Sequence, residues 1–177
     1  RALLDTSRKL KVGERLFVEG ASFEIAGKDG DKWVVKFERD VRPILPRIGA
    51  APLPPYIKRK KPDRTDIERY QTVYASREGS IAAPTAGLHF TPQLLDDISK
   101  AGVEIVRITL HVGIGTFRPI RTKFLKDHTM EPEYFEMPAP IRKRGRVFAV
   151  GTTCCRTLET HARTGQLRGW TNLFIYP

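Results

Sequence analysis

The sequence predicts a mixed α/β protein built in two parts, and three observations lead there. Between Glu14 and Glu38 apolar and polar side chains alternate with a period of two, the rhythm of half-buried strands. A stiff, proline-rich stretch, APLPPY, follows at Ala51–Tyr56. Beyond Tyr70, β-branched runs alternate with amphipathic helical ones, the pattern of strands joined by helices in a largely parallel sheet, open or closed.

In the first part, RLFVEG and SFEIAG read as two strands, and DKWVVKFE as a third after the turn Lys28-Asp29-Gly30-Asp31. Three short antiparallel strands with tight turns suit part of a small barrel or sandwich. VRPILPRIG, from Val41 to Gly49, has room for no more than a short helix because proline interrupts it. Proline fixes its own φ and restricts the residue before it, so APLPPY is extended, and the domain boundary is expected there. A polar, basic connector runs from Lys58 to Arg69.

In the second part, IAAP is a short strand candidate. Thr91 and Pro92 make a helix start, a hydroxyl cap followed by proline at the first helical position, and LLDDISKA continues the helix until Gly102 stops it. VEIVRITLHV, from Val103 to Val112, reads as a long strand, and Glu133 to Met137 as another. RVFAV, from Arg146 to Val150, reads as a buried strand running into Gly151-Thr152-Thr153. A helix is expected from about Cys154 to Arg163, ending near Gly165. No internal repeat recurs at a fixed period.

Ligand sites in α/β sheets form beyond the carboxyl ends of the strands. Three loops follow candidate strands, AGLH, GIGTF and GTT, and they converge on one crevice if their strands are neighbours. Two stretches stand out, IAAPTAGLHF at Ile81–Phe90 and ITLHVGIGTF at Ile108–Phe117. Each sets an imidazole, His89 or His111, beside residues chosen for small size, and glycine lets backbone N–H groups approach a ligand closely. Thr85, Thr116, Thr152 and Thr153 add hydroxyls there, and Arg118 and Arg156 add planar cations, so the crevice suits a polar, partly anionic nucleoside derivative. Arg156 also lies three residues from Glu159 on its expected helix, at ion-pair spacing, which leaves it a second reading.

Several other chemistries lack their motifs. Gly113 and Gly115 open a dinucleotide fingerprint, but Arg118 stands at its third glycine position, and neither a Walker lysine nor a GxSxG elbow is present. Three of the histidines with Glu133 lack every common zinc spacing, so no metal is expected. Cys154 and Cys155 are adjacent, which fits neither a redox pair nor a finger and reads as two small residues at a helix start. No run reaches the ~18 to 20 apolar residues of a membrane helix. The start, RALLDTSRKLKVG, has no signal core and reads as the interior of a longer chain. Thirty-one Lys and Arg against twenty Asp and Glu give a net charge of +11, which fits a polyanionic partner or simply a basic surface. The densest clusters are Lys58, Arg59, Lys60 and Lys61, and Arg142, Lys143 and Arg144.

Taken together, PPYI, ERYQTVYA, GSIAAPTAGLHFT, GVEI, TLHVGIGTFRPI, HTMEPEYFE, VGTTCCRTLE and GWTNLFIYP resemble the S-adenosylmethionine:tRNA ribosyltransferase-isomerase family of queuosine biosynthesis, from about Ser7 to Pro177 and in family order. The resemblance implies an α/β fold, a barrel-like catalytic domain with a small antiparallel β-barrel inserted. Residues 1–50 then belong to the insertion and 51–177 to the catalytic domain. It implies an enzyme that moves the ribosyl group of S-adenosylmethionine onto the aminomethyl group of a 7-deazaguanine base at the tRNA wobble position. Epoxyqueuosine forms, and adenine and methionine leave. His89 and His111 are then the proton-transfer candidates. Gly87, Phe90, Gly113, Gly115, Phe117, His128 and Glu133 join the threonines and arginines above as substrate contacts, with Glu133 opposing the sulfonium and Phe90 or Phe117 packing on adenine or cation. Lys58 to Lys61 and Arg142 to Arg144 face the tRNA. The protein is read as a cytoplasmic monomer, and as an incomplete chain: the family's first strands, the region after LFIYP and internal segments near Pro140 and Leu167 are absent from it. The family's HxMHxE also stands here as His128-Thr129-Met130-Glu131-Pro132-Glu133, without the second histidine. The competing readings are a non-catalytic RNA-binding module and a metal-dependent nucleoside hydrolase.

Overall fold

Period-two alternation builds the first sheet. The computed structural model describes residues 2–4, 6, 8–54, 56–141 and 145–177, and the chain divides into two units, Arg1–Ala50 and Ala51–Pro177. In the first unit β1 (Arg15–Val18), β2 (Ala21–Asp29) and β3 (Lys32–Phe37) form an antiparallel sheet in the order β1-β2-β3. Both connections are two-residue turns, because Val18 faces Ala21 and Asp29 faces Lys32. In the first turn both central residues have positive φ, Glu19 at +40° and Gly20 at +89°, the sense of a type I′ turn, whose twist matches that of the strands. On β2 the alternate residues Ala21, Phe23 and Ile25 are buried, and the Phe23 ring meets Phe37 at 5.3 Å. A bulge between Ile25 and Gly27 shifts the register with β3. The short helix expected within 41–49 is α1 (Leu45–Ile48), a single turn containing Pro46.

The second unit is organised by another three-stranded sheet, β4 (Thr109–Leu110), β5 (Glu133–Glu136) and β6 (Arg168–Thr171), with β5 central. Its helices are α2 (Thr65–Arg69), α3 (Pro92–Lys100) and α4 (Thr152–Thr164). Thr91 caps α3 as its sequence requires, accepting from the Leu94 N–H at 3.1 Å. Gly165 ends α4 in the left-handed conformation at φ +71°. The core is Leu110, Val112 and Phe135, with Ala82 and Ile108 packed against it.

Strand pairing departs from the alternation read in the sequence. Both pairings in the second sheet are antiparallel, β4 with β5 and β5 with β6. Of the stretch Val103–Val112 only Thr109 and Leu110 are in the ladder, and 81–84 and 146–150 are not strands. Parallel pairing needs a crossover that returns the chain to the same end of the sheet. Here α4 leads from 146–150 to β6, and β6 pairs with β5 instead of with the segment before the helix. Strand β6 carries no periodic signal in the sequence, and the expected AGLH and GIGTF loops wind into 3-10 turns at Thr85–His89 and Ile114–Phe117.

Phe135 has no exposed surface and lies at the middle of the central strand. Phe135→Ala in the full-length protein is expected to lower unfolding stability by about 3 to 5 kcal/mol, checked by urea denaturation followed by circular dichroism.

Candidate functional site

Strand alternation sends adjacent residues of β5 to opposite faces, and register carries each choice across the sheet. Glu133 lies opposite Thr171, Tyr134 opposite Trp170, and Phe135 opposite both Leu110 and Gly169. Glu133, Phe135, Leu110 and Thr171 are buried on the face covered by α4. Tyr134 and Trp170 take the other face, and Trp170 is 68% exposed. His111 continues that row. Its N–H donates to the Tyr134 carbonyl at 2.8 Å, its ring stacks on Tyr134 at 6.0 Å, and Tyr134 meets Trp170 edge-on at 5.7 Å.

Behind the sheet, Glu133 is 2% exposed and both of its oxygens are engaged. Oε1 accepts from the Gly113 N–H at 2.8 Å, and Oε2 pairs with Arg156 on α4. The Arg156 Nε also donates to the Leu173 carbonyl at 2.9 Å. Thr160, one turn along, bonds the Thr171 hydroxyl at 2.7 Å. Arg156 therefore pairs across to β5, and Glu159 stays exposed. The negative charge expected to oppose a sulfonium is matched by a guanidinium.

The signature loops meet in pairs. A Cβ on Gly151, at the start of α4, would lie 3.5 Å from Ala86, so the AGLH turn sits against the GTT loop. Gly87 has no room for a side chain, because the Tyr74 hydroxyl occupies the space within 2.0 Å. Phe90 packs edge-on to the same Tyr74 at 6.3 Å. Burial pushes the Tyr74 phenol and the Cys154 thiol up from their ordinary values, and each is near enough to the other to add to the shift of Tyr74. Gly115 lies beside Glu131, which pairs with Arg118 at 2.8 Å. His128 meets Phe174 edge-on at 4.7 Å. Thr85, Thr116 and Thr152 are exposed, and Phe117 and Thr153 are half-buried.

Among the described residues no hydrogen bond or ring contact joins His89 to His111. His89 ends its 3-10 turn exposed. His111 is held on its Nδ1 side by Gly79, and Ser80 fixes the adjoining backbone, its hydroxyl donating to Leu110 at 3.2 Å and accepting from Val112 at 3.1 Å. Gly79, Ser80, Tyr74 and Tyr134 stand inside the signature stretches but are not among the site residues that the sequence singles out. The period-two pattern of EYFE already put Tyr134 on the face opposite Glu133 and was the one signal for it.

The basic connector divides by role. Arg59 donates from Nε and Nη2 to both oxygens of Asp66, at 2.8 and 2.7 Å, and Asp66 is buried. Lys58, Lys60 and Lys61 are exposed. The Arg59 fork holds the Asp66 carboxyl below the usual range. Arg142, Lys143 and Arg144 lie outside the described residues. A groove of about 490 Å³ opens beyond Tyr74, lined by Val73, Tyr74, Pro92, Leu95, Asp96 and Arg107 among others, and none of the candidate site residues read from the sequence lines it. Among the described residues no three His, Cys, Asp or Glu side chains form a group able to hold a metal, and no helix is long and apolar enough to cross a membrane.

Comparison with known proteins gives one consistent family. The family model described as Queuosine biosynthesis protein matches residues 1–177. An S-adenosylmethionine:tRNA ribosyltransferase-isomerase of Geobacter metallireducens is 47% identical over 197 residues, covering 100% of this chain and 56% of the relative. Proteins of the same name from Sulfurihydrogenibium sp. and Xylella fastidiosa are 43% and 46% identical, covering 99% and 98% of this chain and 55% and 54% of their own lengths. The chain spans about half the length of the curated relatives it matches. No solved structure matches it.

Two measurements test the locks. Glu133→Ala leaves Arg156 buried without its counter-charge and is expected to cost about 3 to 5 kcal/mol in urea denaturation, more than Glu133→Ala combined with Arg156→Met. Asp66 has its folded pKa lowered, so its contribution is present above the ordinary carboxylate value and fades as pH falls through the lowered one. The stability gap between the wild type and Asp66→Asn is therefore expected at pH 7 and should close from roughly pH 4 downward.

Proposed function

The chain belongs to the Queuosine biosynthesis protein family, and from that premise we propose that it is part of an S-adenosylmethionine:tRNA ribosyltransferase-isomerase. The observation that carries the reading is identity of 41 to 47% with proteins of that name along essentially the whole of this chain. In this reading the ribosyl group of S-adenosylmethionine passes to the aminomethyl group of a 7-deazaguanine wobble base. Adenine and methionine are released, and epoxyqueuosine remains on the tRNA. The family match favours this over an RNA-binding module or a metal-dependent hydrolase.

The geometry supports a division of labour. The open sheet face offers His111 with the aromatic surfaces of Tyr134 and Trp170, which suits a planar base and a cationic sulfonium. His89 brings a second imidazole from the AGLH turn, and the proposed site requires both to reach one bound nucleoside. Glu133 and Arg156 serve by holding the GIG loop in place. In fold, the two sheets are read as parts of a small β-barrel and of a barrel-like α/β domain. The protein acts in the cytoplasm as a monomer.

The decisive assay follows ribose-labelled S-adenosylmethionine into tRNA carrying the aminomethyl base. Label is expected in the tRNA fraction with the full-length protein, and free ribose without transfer would support a hydrolase instead. Replacing His89 or His111 by alanine should lower turnover by about 2 to 4 orders of magnitude, with only a small change in melting temperature. Neutralising Lys58, Lys60 and Lys61 with Arg59 retained should weaken tRNA binding and flatten its salt dependence by about 1 per lysine that meets a phosphate, leaving S-adenosylmethionine affinity unchanged. An unchanged salt slope removes the connector from the interface.

A further inference from the structure

Among the described residues two buried side-chain atoms lack a hydrogen-bond partner, Thr157 Oγ1 in α4 and His111 Nδ1, and the second belongs to the open sheet face. His111 Nδ1 is buried and finds no hydrogen bond among the described residues. The reason lies in Gly79. A Cβ there would fall 2.5 Å from Nδ1, 2.8 Å from Cε1 and 3.3 Å from Cγ, so the imidazole edge rests directly on the glycine backbone. Gly79 also has φ +133°, which L side chains rarely adopt. With the ring face against Tyr134, the His111 backbone N–H tied to the Tyr134 carbonyl and the backbone on either side tied to Ser80, the ring has one seat. Nε2 is the ring nitrogen farther from Gly79.

A neutral imidazole carries one N–H, on either nitrogen. On Nδ1 that hydrogen would be a buried donor without an acceptor, the rarer of the two orphan states in folded proteins. A bare Nδ1 lone pair against glycine C–H costs less, and it puts the proton on Nε2. A nitrogen that already carries its hydrogen gives a hydrogen bond and does not take one.

We propose that Gly79 is a positioning residue that holds His111 as the Nε2–H tautomer, and that His111 acts on the substrate as a hydrogen-bond donor and not as a base. The acceptor is an electron-rich oxygen or ring nitrogen of the bound nucleoside. Of the two signature imidazoles, the exposed His89 is then the one that takes a proton. The role of donor rests on the functional reading above; the tautomer and the part played by Gly79 do not.

The test joins a spectrum to a substitution series in the full-length protein. Long-range proton–nitrogen NMR of labelled histidine is expected to show His111 Nδ1 as a bare nitrogen and Nε2 as the protonated one, and Gly79→Ala to abolish that preference. Glutamine supplies an N–H near the position of Nε2 but no base. His111→Gln should therefore keep turnover within about 10- to 100-fold of the wild type, while His111→Ala falls by about 2 to 4 orders of magnitude. A proton on Nδ1 in the wild type, or equal losses for Gln and Ala, overturns the proposal. If Gly79→Ala does not fold, the wild-type spectrum and the Gln–Ala comparison decide. If the wild type transfers no ribosyl group, the functional reading fails, and the spectrum still decides the tautomer.

Discussion

The second unit depends on a carboxylate that water cannot reach. Glu133 is sealed between β5 and α4, and a charge so placed survives only if every lone pair is answered. Arg156 answers one oxygen and the Gly113 amide the other. Those two partners belong to two of the signature stretches, the helix after GTT and the GIG loop. One ion pair thus couples the helix after GTT to the loop at GIG, and Arg156 extends the tie to the carbonyls of Thr171 and Leu173. The contact between α4 and the sheet is correspondingly polar, made by Arg156 and Thr160 where a leucine seam would be usual. Polar contacts are directional. They fix the helix at one register, whereas an apolar seam tolerates sliding.

Fixing the covered face leaves the other face free for chemistry. Because β5 alternates, whatever anchors Glu133 also orients Tyr134, and the register passes that orientation to His111 and Trp170. In the proposed site, function and stability are separated by a single step along one strand. His111 illustrates what that arrangement demands of its neighbours: its ring needs a flat partner on one side and an absent side chain on another, supplied by Tyr134 and Gly79.

Much of this was legible in the residues. The three strands of the first unit, the Thr91-Pro92 helix start and the Gly165 stop are local signals, and local physics decides them. The second sheet was harder. VEIVRITLHV has β propensity throughout, yet only Thr109 and Leu110 find a ladder partner, because pairing depends on what β5 offers and not on the run itself. Arg156 shows the same limit. Spacing along a helix gave it Glu159, while the partner it takes, Glu133, is 23 residues away and visible only when α4 lies on the sheet. Arg59 carries the converse lesson, since a basic run reads as uniform charge until Asp66 is seen beneath one member of it. The small residues at 79 and 87 were quoted within a motif, but the atoms that forbid a side chain there, from His111 and Tyr74, come from distant or separate segments.

The exposed indole at position 170 has a consequence of an optical kind. The chain has two tryptophans, and Trp33 belongs to the first unit while Trp170 ends the aromatic row beside His111. An indole bathed in water emits further to the red than one shielded from it. A molecule settling on the open sheet face would dry Trp170, so the blue part of the emission would grow with occupancy. The protein carries, without any added dye, a lamp at the edge of its candidate site.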